Sequence, residues 1–200
     1  MIRGKSVKLR ALERDDLPQF WKWENDEEIM EFASCAPDRV IPKDAIAKIY
    51  ESSLSADPFS THYYVIVAAD DAPIGLISYW TPNRRFRESA EIGFYIGERD
   101  YWRGGYATDA VLAICYTLFK HLHFHRVSVC FGSYNFRLYE WIKKHGITME
   151  GIIREERFMR GRYYDTVRAG ILESEFDALH ESWVNSRSAE RDHEEQQSDI

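Results

Sequence analysis

The stretch Tyr101-Trp102-Arg103-Gly104-Gly105-Tyr106-Ala107-Thr108 holds the residue types best suited to chemistry. Two adjacent glycines let a backbone turn tightly and approach a ligand with no Cβ in the way. The segment joins a strand-like run, Ser89–Gly97, to a helix predicted from Thr108 to about Leu122. The first turn of a helix offers unpaired N–H groups and the positive end of a dipole, a combination that suits a pyrophosphate. Arg103 adds a cation beside it. The chemistry-free counterpart is a plain strand-to-helix turn. No Gly-Lys-Ser/Thr is present for a Walker loop, and no G-x-G-x-x-G for a dinucleotide fingerprint.

Other residues invite chemistry less directly. Along Ser89–Gly97, Ala90, Ile92, Phe94 and Ile96 share one face, and Glu91, Gly93 and Tyr95 the other, so Glu91 and Tyr95 look the same way. His121, His123 and His125 alternate as metal ligands on a strand do, yet they fall where a helix hands over to a strand and no further ligands cluster nearby. A solvated helix end is the better account, and no metal is expected. Cys35, Cys115 and Cys130 are an odd number with no CxxC spacing, which argues against a disulfide framework or thiolate zinc and fits a reducing cytoplasm.

These residues need elements to position them. Periodicity predicts strands over Ser6–Leu12, His62–Ala69, Pro73–Trp80, Ser89–Gly97, Arg126–Phe131, Met149–Met159 and Tyr163–Leu172. It predicts helices over Asp15–Asn25, Lys43–Ser53, Thr108–Leu122 and Phe136–His145, the last stopped by Gly146. The order is that of an α/β (α+β) domain, a mixed sheet with helices on both sides. With 200 residues and 44% apolar content there is enough for one core, assigned to 1–184. The formal charge of −7 arises after residue 172, where nine acidic residues face two arginines; residues 1–172 balance. No basic stripe marks a nucleic-acid partner. No apolar run is long enough to span a bilayer, and no apolar signal core follows Met1, so a soluble, cytoplasmic protein is expected. Residues 185–200 form an acidic segment predicted to be disordered. Exposed edge strands and long aromatic segments are compatible with a homodimer.

The segment EIGFYIGERDYWRGGYATDAV resembles the acetyl-CoA motif of GNAT proteins, a strand followed by Q/R-G-x-G-x-G/A and a helix. Asn135, then Lys144-His145-Gly146-Ile147 and Met149-Glu150-Gly151, resemble the family's later N…KxGF…EG block. The opening LRALERDDLPQFWKWENDEEIMEF is similar to that of the branch containing ribosomal-protein N-terminal and spermidine acetyltransferases. The resemblance covers about residues 6–172. Trp102 and Arg103 depart from the motif's first two positions; Gly105 and Ala107 keep it, and Gly104 can supply the permissive turn one residue later.

The resemblance implies a mainly antiparallel central sheet and acetyl transfer from acetyl-CoA to a primary amine by direct attack in a ternary complex. The acceptor would be a protein N-terminus or a small cationic amine such as a polyamine or aminoglycoside. Backbone donors around Phe94, Tyr95 and Ile96 would hold pantetheine and the thioester carbonyl. Arg103, Gly104, Gly105, Tyr106, Ala107, Thr108 and Asn135 would complete the coenzyme site. Glu91 is the candidate general base, against a surface or salt-bridged carboxylate as the bland alternative, with Glu155 and Glu156 behind it; Arg157 stands where ribosomal-type relatives carry a glutamate. The family's thiolate-protonating positions are Leu138 and Ile142, which donate nothing, and Tyr139 is the nearby hydroxyl that could substitute. Trp21, Trp23 and Phe32, with the acidic run Glu24, Asp26, Glu27 and Glu28, fall where relatives close over the acceptor, and an acidic rim would attract a cation. The competing reading is an acyl-CoA-binding sensor or interaction module that has lost its proton donor.

Overall fold

The computed structural model describes residues 1–33, 39–54, 60–82 and 88–183. The chain runs β1 (Ile2–Arg3), β2 (Val7–Ala11), α1 (Leu17–Glu24), α2 (Glu27–Ala33), α3 (Lys43–Ser53), β3 (His62–Ala68), β4 (Pro73–Trp80) and β5 (Ser89–Ile96). It continues through α4 (Tyr106–Tyr116), β6 (Arg126–Gly132), α5 (Phe136–Lys144), β7 (Thr148–Met159) and β8 (Arg162–Leu172) to a last helix, α6, over 173–183. The sheet order is β1-β2-β3-β4-β5-β6-β8-β7, antiparallel throughout except where β5 meets β6. This is the mixed, mainly antiparallel sheet that the sequence predicts. Cys35 and the acidic segment from 185 lie outside the described residues.

Alternation along β3 sets the layers. Tyr64, Ile66 and Ala68 pack with α4 on one face, while Tyr63, Val65 and Val67 pack with α1–α3 on the other, so this strand is buried on both sides. In its layer α4 is enclosed along most of its length: Ala110 through Cys115 are all buried, as in a helix that is apolar nearly all round. α5 lies on the α4 side, its Ile142 fully buried against Phe131, Val167 and Ala169.

Two helices were missed in the sequence. Asp26, just past the end of the predicted first helix, starts α2, its Oδ1 accepting the N–H groups of Glu28 and Ile29. In α6, Phe176, Leu179 and Trp183 recur at helical spacing and join the α4 layer, with the Phe176 ring 5.0 Å from that of Phe119. Conversely, α4 starts two residues before the predicted Thr108, because Gly105 in a left-handed conformation (φ 79°) already serves as its cap. Asp109 in that helix is buried, and its two carboxylate oxygens accept the backbone N–H groups of Lys5, Ser6 and Val7 and the Ser6 hydroxyl.

Candidate active site

The site begins where β5 and β6 part. Their parallel pairing covers only Ser89–Arg126, Ala90–Val127 and Glu91–Ser128. The Glu88 carbonyl accepts from the Arg126 N–H and the Ala90 carbonyl from the Ser128 hydroxyl, whereas the Gly93 carbonyl accepts from Ser78 on β4. Even-numbered residues of β5 therefore turn their backbone groups towards β6. Past Glu91, β6 has moved away, so the N–H groups of Phe94 and Ile96 face an open gap. Tyr95 belongs to the other parity: its backbone pairs with β4 opposite Leu76, and only its side chain reaches the site. Within the Phe94–Ile96 stretch named from the resemblance, strand parity thus turns the N–H groups of Phe94 and Ile96 to the gap and that of Tyr95 to β4.

The gap continues into a cleft of about 370 Å³ whose wall includes Phe94, Ile96, Gly105, Tyr106, Ala107, Thr108 and Asn135. Gly104 and Gly105 both have positive φ, 84° and 79°, which few residues other than glycine adopt. The first intrahelical bond of α4 runs from the Asp109 N–H to the Gly105 carbonyl, leaving the N–H groups of Tyr106, Ala107 and Thr108 unclaimed by the helix at the cleft. Arg103 and Gly104 are exposed at the rim and do not line the cleft.

Trp102, the motif departure, has a structural task. Its indole N–H donates to the Ile96 carbonyl at 2.9 Å, and its ring lies under the guanidinium groups of Arg99 (5.7 Å) and Arg137 (5.9 Å). The loop is thus pinned to the end of β5. Asn135 caps α5 through its Oδ1, which accepts from the Leu138 N–H, while its Nδ2 donates to the Phe32 carbonyl at 3.1 Å. Its side chain ties α5 to α2 across the cleft.

The structure does not bring the predicted acid and base to the cleft wall. On α5 the cleft-lining residues are Arg137, Leu138 and Trp141; Tyr139, one position round the helix from Leu138, packs with the Phe131–Ile142 cluster, and Lys143 lies over its ring. Glu91 is half-buried further down β5 and also absent from the wall. Burial raises its carboxyl pKa, against the opposing pull of Arg168, Arg126 and Arg157. Glu155 is exposed at a positive φ of 53°, and Glu156 is exposed too, whereas Arg157 lines the cleft and donates from Nε to the buried Thr166 hydroxyl.

The acidic run is not a free anionic rim. Asp26 and Glu28 pair with Arg99, and Glu27 and Glu31 with Arg160. Glu24 differs. Its Oε1 accepts the Tyr95 hydroxyl at 2.8 Å, and burial lifts its pKa against the opposing influence of that bond and of Arg39. This pair was invisible in the sequence: strand parity aims Tyr95, but nothing in a one-dimensional reading says that a residue 71 positions earlier meets its hydroxyl. Of the aromatic group, Phe32 lines the cleft, Trp21 donates to the Ile41 carbonyl, and Trp23 donates to Glu98 at 2.9 Å. A Cβ on Gly97 would sit 2.4 Å from the Trp23 ring, so that contact requires glycine. Among the described residues no three His, Cys, Asp or Glu side chains converge to hold a metal ion, the histidines at 121–125 included.

Comparison with known proteins agrees with this geometry. Residues 6–148 match the family model described as an acetyltransferase (GNAT) domain. The chain is 27% identical over 183 residues to the uncharacterized N-acetyltransferase YokL of Bacillus subtilis, covering 88% of this chain and 96% of that one. It is 26% identical over 183 residues to the spermidine N(1)-acetyltransferase of Escherichia coli, covering 91% and 94%. The spermidine N-acetyltransferase of Vibrio cholerae, solved in complex with CoA and spermine, superposes with a TM-score of 0.76 at 25% identity over 86% of this chain and 98% of that one. The splayed strands, the glycine loop at a helix start and a family match over well more than half the sequence lead to one assignment: the chain is an N-acetyltransferase and belongs to the GNAT family.

Proposed function

We propose that the chain transfers the acetyl group of acetyl-CoA to the primary amine of a small cationic acceptor such as a polyamine, in a ternary complex. The observation that carries this is the union of two donor sets at one cleft: the N–H groups of Phe94 and Ile96 in the β5–β6 gap and those of Tyr106–Thr108 at the start of α4. These residues fit coenzyme A, because the positive-φ glycines keep the loop backbone bare where a pyrophosphate approaches a helix N-terminus. Arg103 at the rim supplies a cation for the phosphates. Acetyl-CoA supplies an activated acyl group. The chain's own part is to fix backbone donors where carbonyl charge develops, which costs no reorganisation during reaction, and to hold the amine within reach. The spermidine-acetylating relatives support a polyamine acceptor. A homodimer belongs to the same proposal, supported by the exposed apolar edge of β7.

The deciding experiment is release of free CoA thiol from acetyl-CoA by the full chain with a panel of spermidine, aminoglycosides and peptides with free N-termini. Turnover with spermidine is expected. Turnover with peptides alone would reassign the acceptor, and a thermal shift with acetyl-CoA but no thiol release from any amine would leave the sensor reading.

A further inference from the structure

This inference rests on the acetyl-transfer reading and names how the acceptor amine loses its proton. α4 and α5 close the β5–β6 gap from one face of the sheet. The acceptor must therefore arrive from the other face, where the odd-numbered side chains of β5 point: Glu91, Gly93 and Tyr95. Gly93 leaves that surface bare between its neighbours; a Cβ there would lie 3.5 Å from Ser78 Oγ and 3.6 Å from the Trp80 ring. An alkylamine reaches the site mostly protonated, its pKa near that of lysine, about 10. A group on this face has to take a proton.

Two acid–base systems flank the bare spot. Glu91 stands off the cleft wall in the field of three arginines. Tyr95 is part of the wall, and its hydroxyl hydrogen already points at the Glu24 carboxylate, 2.8 Å away. Glu24 makes no ion pair among the described residues, in contrast to its neighbours Asp26, Glu27 and Glu28. The groups facing it are Tyr95 from β5, Tyr63 from β3 and Arg39 ahead of α3.

The geometry points to Glu24 as the final acceptor of the amine proton, received through the Tyr95 hydroxyl. The ammonium first gives one proton to Tyr95 Oη as the original Tyr95 proton moves to Glu24 Oε1, which frees the nitrogen lone pair and regenerates the phenol. As that lone pair forms the new C–N bond, the C–S electron pair leaves on sulfur. The second N–H proton, now on a cationic acylated nitrogen, passes through water to the thiolate, and Glu24, left as a carboxylic acid, returns its proton to solvent. Burial strengthens Glu24 as a base relative to a surface carboxylate.

The test is steady-state kinetics of the full chain with an amine that wild type acetylates, beside acetyl-CoA affinity by calorimetry. Glu24→Gln and Tyr95→Phe should each lower kcat by about 10²-fold with acetyl-CoA affinity unchanged, and the double variant should be no worse than either, since a relay fails as a unit. Wild-type kcat/KM should fall as pH drops through the raised Glu24 pKa, because only the carboxylate can accept. That limb should vanish in Glu24→Gln, and raising pH towards the amine's own pKa should restore part of its rate, which repair of a merely structural defect would not do. Variants within about threefold of wild type, with the acid limb in place, would overturn the relay and leave the acetyltransferase intact. Absence of turnover by wild type with every amine would overturn both. If Glu24→Gln fails to fold, Tyr95→Phe, which keeps ring and carboxylate, decides alone.

Discussion

Leu138 and Tyr139 show how one step around a helix decides a residue's part. The family resemblance places the thiolate-protonating side chain three or seven residues after Asn135, and both positions here are aliphatic. Tyr139 looks like a substitute on helical periodicity, but the α5 stripe facing the cleft is Leu138–Trp141, and the Tyr139–Ile142 stripe faces the sheet. Replacing Tyr139 by Phe should therefore leave kcat within about threefold of wild type. A hundredfold loss would mean that α5 turns when substrate binds. With neither Leu138 nor Tyr139 offering a proton to the cleft, the proposed acetyl transfer leaves protonation of the thiolate, an adequate leaving group, to water.

The loop-and-helix unit from Trp102 to Tyr116 is the element on which the site depends, and two substitutions probe its ends. At Gly105, φ is 79° and the residue lines the cleft, so Gly105→Asp adds both backbone strain and a negative charge beside the phosphates. Acetyl-CoA should raise the melting temperature of wild type and not of this variant. An equal shift in both would place the coenzyme elsewhere. Asp109, four residues on, holds the β1–β2 turn through four hydrogen bonds to a carboxylate that is 2% exposed. Asp109→Ala orphans those donors and should cost about 3 kcal/mol in urea unfolding; a loss under about 1 kcal/mol would show that the turn finds other acceptors. Much of this was legible beforehand. The glycine pair, its place between strand and helix, and the strand parity that pairs Glu91 with Tyr95 are local patterns that a sequence displays directly. What stayed hidden depends on contacts between distant segments, Asp109 reaching back to Ser6 and Glu24 meeting Tyr95. The missed α2 and α6 are a different failure, because Asp26 and the Phe176–Leu179–Trp183 spacing were there to be read.

At the scale of the whole molecule, the sheet ends on β7, an edge strand of twelve residues exposed along nearly its full length. Ile152 and Phe158 are each 61% exposed and Tyr163 beside them is 65% exposed, apolar surface on either side of the charged, irregular stretch Arg154–Arg157. An antiparallel copy of the same strand is its natural cover under a twofold axis. Ile152→Lys should then convert a dimer to a monomer in light scattering after size exclusion, and a wild-type chain that is already monomeric would end that reading. No helix among the described residues is long and apolar enough to cross a membrane. The short stretch Ile96–Glu98 draws the two halves of the site together: the Trp102 indole is bonded to Ile96, and the Trp23 indole lies on Gly97 and is bonded to Glu98. One of these rings sits in the loop proposed to hold the coenzyme and the other in α1, on the face proposed for the acceptor, so on that reading the chain carries a built-in optical probe on each substrate's side. Indole emission responds to ring stacking and to nearby charge, and each ring can be silenced separately by Phe. Because the chain holds six tryptophans, each ring's signal is the difference between the wild-type stopped-flow trace and that of its Phe replacement, and the two differences compared give the order of binding without any label.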